Sequence, residues 1–159
     1  MIKLFIPFFF VFNTEMPETI SGKVIRVIDG NTIEILDSEK EIVKIMLSEV
    51  DCPESGQEFA EEAKKFTEKL TLKKRVMVEL KGKDRWGNKL GQVTLNNGKL
   101  LHHELLKNGL AWAREESNEV LASLQQAART NKSGLWINED PTPPWIYRRQ
   151  QTMMAPKGR

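Results

Sequence analysis

Short runs in which apolar and polar side chains alternate recur along the first two thirds of this chain. Such runs bury one face only, so they must curl together around a common interior. Alternation runs through residues 22–36 and 42–48, and again through 75–80 and 90–95. Because successive side chains of a strand point to opposite faces, Val43, Ile45 and Leu47 share one face of the second run. Lys44, Met46 and Ser48 share the other. Asn96, Asn97 and Gly98 form a hairpin-type turn after the last run. Five strands of this kind suggest a small barrel.

Helical spacing interrupts the strands. Phe59, Ala63, Phe66 and Leu70 make one stripe of an amphipathic helix that begins just after Glu54. Residues 101–108 stop at Gly109 and residues 117–132 stop before Gly134, each with glycine just past a helix end. Leu121, Leu124 and Ala128 of the last helix are expected to face the barrel, and Trp112, Trp136 and Trp145 to serve packing. The reading is therefore α+β, a five-stranded barrel with three helices. With 159 residues, 40% of them hydrophobic, the chain has material for a single core. Residues 1–20 form an apolar leader, 21–149 the domain with a proline-rich tail at 141–149, and 150–159 an unstructured end.

The carboxylates Asp51 and Glu54 lie three residues apart across Pro53, on the turn that joins a strand to the first helix. Such a pair can hold a hard cation and a water against a phosphate. The plain alternative is a helix entry, where acids are favoured by the helix dipole. A second turn, Ile28-Asp29-Gly30-Asn31-Thr32, lies upstream. Further on, Lys81, Lys83, Arg85 and Lys89 crowd around Trp86, an arrangement that suits single-stranded nucleic acid or equally a charged sheet edge. His102 and His103 are adjacent on a helix and point about 100° apart, so they do not form a metal pair. The net charge of +2 permits nucleic-acid binding without requiring it. Cys52 is the sole cysteine, which excludes an internal disulfide.

Four stretches in this order resemble the thermonuclease family, the staphylococcal-nuclease-like proteins built on an OB-type barrel. They are residues 24–33, residues 50–54, Asp84-Arg85-Trp86-Gly87-Asn88, and the pair Gly109-Leu110-Ala111-Trp112 and Gly134-Leu135-Trp136. The closing residues 141–149 are similar to the tail of the bacterial secreted branch. The resemblance covers residues 22–149. It implies a calcium-dependent nuclease in which Asp51, Asn31 and the carbonyl of Cys52 hold the metal and Glu54 orients or deprotonates the attacking water. It also puts the loop carrying Arg85, Trp86 and Lys89 at the border of a nucleotide pocket.

Departures from the family pattern shape the functional expectation. Asn31, Met46 and Asn88 stand where the family carries Asp, Arg and Arg. Residues 114–117 read Arg-Glu-Glu-Ser where family members usually place tyrosines that contact the nucleotide. Phosphodiester cleavage builds negative charge that paired arginine donors stabilise. Losing one such donor costs about 100- to 1000-fold in rate, and the neutral Asn31 weakens any calcium site. The expectation is a nuclease with activity lost or strongly reduced that keeps weak binding to DNA, RNA or a protein partner. The alternative is an active calcium-dependent phosphodiesterase with Lys44, Arg85 or Lys89 replacing the arginines. A lysine lacks the arginine fork, which counts against Lys44.

At the N-terminus, Lys3 precedes the phenylalanine-rich residues 4–12, a short hydrophobic region of the kind found in export signals and too short to span a bilayer. Export to the periplasm or beyond is the expectation. No Ala-x-Ala-like cleavage site follows.

Overall fold

The structure is a computed structural model that describes residues 17–114 and 118–154. The apolar segment expected to direct export lies outside the described residues for most of its length. Strands β1 (Thr19–Asp29), β2 (Thr32–Asp37), β3 (Ile42–Leu47), β5 (Arg75–Lys83) and β6 (Lys89–Thr94) close into a barrel in the order β1-β2-β3-β6-β5. Neighbours pair antiparallel except β3 and β6, which run parallel and bring Met46 opposite Leu90. Register shifts in β1 at Val24/Arg26 and Val27/Asp29, and in β5 at Leu80/Gly82, bend the strands as closure requires. The period-two reading of β3 holds: Ile45 and Leu47 are buried, while Lys44 faces solvent.

Two-residue strands β4 (Val50–Asp51) and β7 (Trp112–Ala113) pair beside the barrel, with Asp51 opposite Trp112. Helix α1 (Ala60–Thr71) lays the predicted stripe on the core: Ala63 is fully buried, and Phe59, Phe66 and Leu70 pack partly buried against the same cluster. The Thr67 hydroxyl donates to the Gly30 carbonyl at 2.6 Å, tying α1 to the upstream turn. Helices α2 (Leu101–Lys107) and α3 (Glu119–Thr130) follow, α3 capped by the Asn118 side chain, which accepts from Leu121 N–H. Leu121 and Leu124 pack on the barrel core as expected, whereas Ala128 instead joins Trp112, Leu135 and Trp136 in a second apolar cluster against which Trp145 packs, so these tryptophans do serve packing.

The described residues contain a fourth α-helix, α4 (Pro144–Met154), besides the three expected. Proline at its first position sacrifices no helical hydrogen bond, because the first turn's N–H groups have no partner within the helix. Residues 150–154, expected to be unstructured, continue this helix, and 155–159 lie outside the described residues. The tail docks on the domain. Gln57 Nε2 donates to the Thr142 carbonyl at 3.0 Å, and Asn138 Nδ2 donates to Glu58 Oε2 at 2.8 Å. Among the described residues no helix is long and apolar enough to cross a membrane.

Candidate nucleic-acid cleft and its acid pair

Pairing of β4 with β7 fixes the first half of the acid turn and buries Asp51 to 5% exposure. Pro53 and a reciprocal contact with Gln57 fix the second half. Glu54 N–H donates to Gln57 Oε1 at 2.8 Å and Gln57 N–H donates to the Glu54 carbonyl at 2.9 Å. Beneath them Cys52 is buried, and burial pushes its thiol well above the usual cysteine range. Asp29 accepts from Asn31 N–H at 3.0 Å, and burial raises its pKa, with the charge of Glu54 adding to the effect. Asn31 is itself buried at 6% exposure, and its carbonyl accepts from Leu47 N–H. The two turns named by the sequence thus meet around Gly30, where a Cβ would lie 2.8 Å from Cys52 Sγ and from the Ala63 Cβ.

Asp51 and Glu54 open into a cleft of about 870 Å³. Met46 and Leu90 form apolar wall, Asp84, Arg85 and Trp86 stand on the loop side, and Arg114, Trp145, Ile146, Arg148 and Arg149 complete it. Trp86 is 71% exposed, with the Arg85 guanidinium 4.0 Å from its ring centre. Such a stacked cation and aromatic pair is a natural platform for a base and its phosphate. Lys44 and Lys89 do not line the cleft. Lys44 instead sits opposite Glu34 on β2, close enough to lower the Glu34 pKa after the larger effect of Arg26.

Asn88 is turned to another task. Asp84 Oδ1 accepts from the N–H groups of Trp86 and Asn88 at 2.9 Å each, and Oδ2 accepts from Asn88 Nδ2 at 2.8 Å. These bonds, led by the Asn88 side chain, hold the Asp84 carboxyl below its ordinary pKa. The side chain at the position where the resemblance expects an arginine is therefore committed to closing the loop.

Arg148, in sequence simply one residue of the tail, reaches both members of the acid pair. Its Nη2 donates to Asp51 Oδ2 at 2.8 Å, and its Nη1 donates to Asp51 Oδ1 at 3.3 Å and to Glu54 Oε1. These partners raise the Arg148 pKa, Asp51 most strongly. No local pattern signals this contact, because its partners lie 94 and 97 residues away. Two arginines side by side in a docked tail are the one visible hint.

Calcium, the ion implied by the resemblance, gathers roughly 6–8 oxygens. Here both Asp51 oxygens and one of Glu54 are already taken by Arg148. Asn31 brings only a neutral amide, and among the described residues no three His, Cys, Asp or Glu side chains form a group that could hold a metal. This arrangement does not fit calcium.

Comparison with known proteins agrees with the barrel fold. A family model described as staphylococcal nuclease homologue matches residues 44–138. A protein of Escherichia coli O157:H7 named "Uncharacterized endonuclease" is 40% identical over 134 residues, covering 83% of this chain and 87% of that protein. The "Micrococcal nuclease" of Shigella flexneri is 30% identical over 143 residues, covering 80% of each. "Protein ParB" of Escherichia coli is 32% identical over 150 residues, covering 86% of this chain and 84% of that protein. Nucleases of this family generally depend on calcium. On the match to more than half its length and on these relatives, the chain belongs to the staphylococcal nuclease homologue family.

Proposed function

We propose that this chain is a catalytically impaired nuclease whose cleft keeps nucleic-acid binding while phosphodiester hydrolysis is lost or strongly reduced. The observation that carries the reading is the lining of the cleft that holds Asp51 and Glu54. Met46 and Leu90 supply hydrocarbon there, and Asn88 spends its amide on Asp84. A pentacoordinate phosphate in this cleft lacks the paired donors that both positions hold in the family. Each such donor is worth about 3–4 kcal/mol of barrier, and donors acting as a unit do not simply add, so a deficit of at least several hundred-fold follows. The platform of Arg85 and Trp86 supports retained binding, as do the names of the relatives.

A second reading, an active calcium-dependent phosphodiesterase cutting DNA or RNA, is favoured by one observation: Arg85, Arg114, Arg148 and Arg149 all line the cleft and could serve in place of the missing pair. Incubation of the purified protein with single-stranded DNA and RNA, in millimolar calcium or in chelator, separates the two. We expect no calcium-dependent products and no difference between the protein and a Glu54→Gln variant. Calcium-dependent cleavage abolished by that variant would establish the active reading instead.

A further inference from the structure

Two carboxylates lining one cleft set negative charge against a polyanion, and in a metal-dependent nuclease the ion offsets that charge. Here the chain places a guanidinium on them. Arg148 engages Asp51 through both terminal nitrogens and Glu54 through one. Asp51 has a side-chain exposure of 7%, whereas Arg148 retains 48%, so the arginine is the accessible partner.

The donors left over matter as much as those used. A guanidinium carries five N–H groups, and the contacts with Asp51 and Glu54 occupy both on Nη1 and one on Nη2. What remains is the Nε–H and the second Nη2–H, a side-on fork that matches two phosphate oxygens. No hydrogen bond among the described residues uses that fork. Arg149 and Arg114 line the same cleft and extend its positive character beyond the neutralised acids.

We propose that Arg148 is a built-in cation that neutralises the Asp51 and Glu54 pair in place of a metal ion. Its free fork then takes a phosphodiester, so that single-stranded nucleic acid binds this cleft without divalent metal. The inference rests on the reading that the cleft retains nucleic-acid binding, and it names the residue and the metal requirement of that binding.

The test is fluorescence anisotropy of a labelled single-stranded oligodeoxynucleotide with the full chain, in chelator and in millimolar calcium. Affinity equal within about twofold in the two buffers is expected, since a structural guanidinium needs no ion to neutralise its partners. In chelator, Arg148→Met should bind about tenfold more weakly and show a salt dependence reduced by about 1 in slope, as for one lost phosphate contact. Arg148→Lys should fall between them, because an ammonium neutralises the acids but lacks the fork. Binding by the unaltered protein that appears only with calcium overturns the inference and leaves retained binding intact, a result independent of whether any variant folds. A folded Arg148→Met that binds as tightly as the unaltered protein overturns it too. Absence of binding in both buffers removes the nucleic-acid reading, and this inference falls with it.

Discussion

Gly30 shows how one missing methyl group shapes the site. A Cβ there would lie 2.8 Å from the Cys52 Cβ and Sγ and from the Ala63 Cβ, all well inside contact distance. The acid turn, the upstream turn and helix α1 therefore meet at a point only glycine can occupy. Gly30→Ala is expected to destabilise the fold by about 1–3 kcal/mol, the usual range for overpacking. Adding Cys52→Ala removes the sulfur and should recover part of that loss. Denaturant titration of the two single variants and the double variant measures the coupling, and strictly additive effects would contradict this geometry. Both turns could be picked out in the sequence as short clusters of acid, glycine and proline. That they touch could not, since the contact is made between positions 22 residues apart with no shared local pattern.

Helix α2 carries a buried histidine whose titration bears on stability. His102 is buried on it, with Nε2 3.2 Å from Glu49 Oε2, which also accepts from Gln92 Nε2 at 2.7 Å. Burial lowers the His102 pKa to about 4, with the neighbouring His103 adding to the effect. An unfolded histidine titrates at about 6.5, so between these values the unfolded chain binds the extra proton and folding opposes it. Stability from the neutral imidazole is thus complete above about pH 6.5 and is lost as pH falls toward 4. Chemical denaturation across this window should show a steady decline, shallower in His102→Gln; an unchanged slope in the variant would place the titration elsewhere. Adjacent helix positions point the two histidines apart, and it is His102 that turns into the core. Strands and the α1 stripe were readable because their periodicities are local. Helix α4 was not, because prolines 141, 143 and 144 mask its start and it is held by docking as much as by its own pattern.

Across the whole molecule, the tail acts as a clasp between segments distant in sequence. Thr142 binds Gln57, Tyr147 Oη would lie 2.9 Å from a Cβ at Gly56, and Arg148 closes on the acid pair. Ending the chain after residue 140 uncovers the Trp112 and Trp136 cluster where Trp145 packs and strips Asp51 of its counter-charge. A fall in Tm of about 3–8 °C is expected, corresponding to roughly 1–2 kcal/mol in a domain of this size. An unchanged thermal scan would show that the clasp adds no stability. The same clasp sets an order on synthesis. Glu54 and Asp51 leave the ribosome 94 and 97 residues before the arginine that pairs with them. Until it arrives, Asp51 and Glu54 are without the guanidinium that pairs with them in the finished fold.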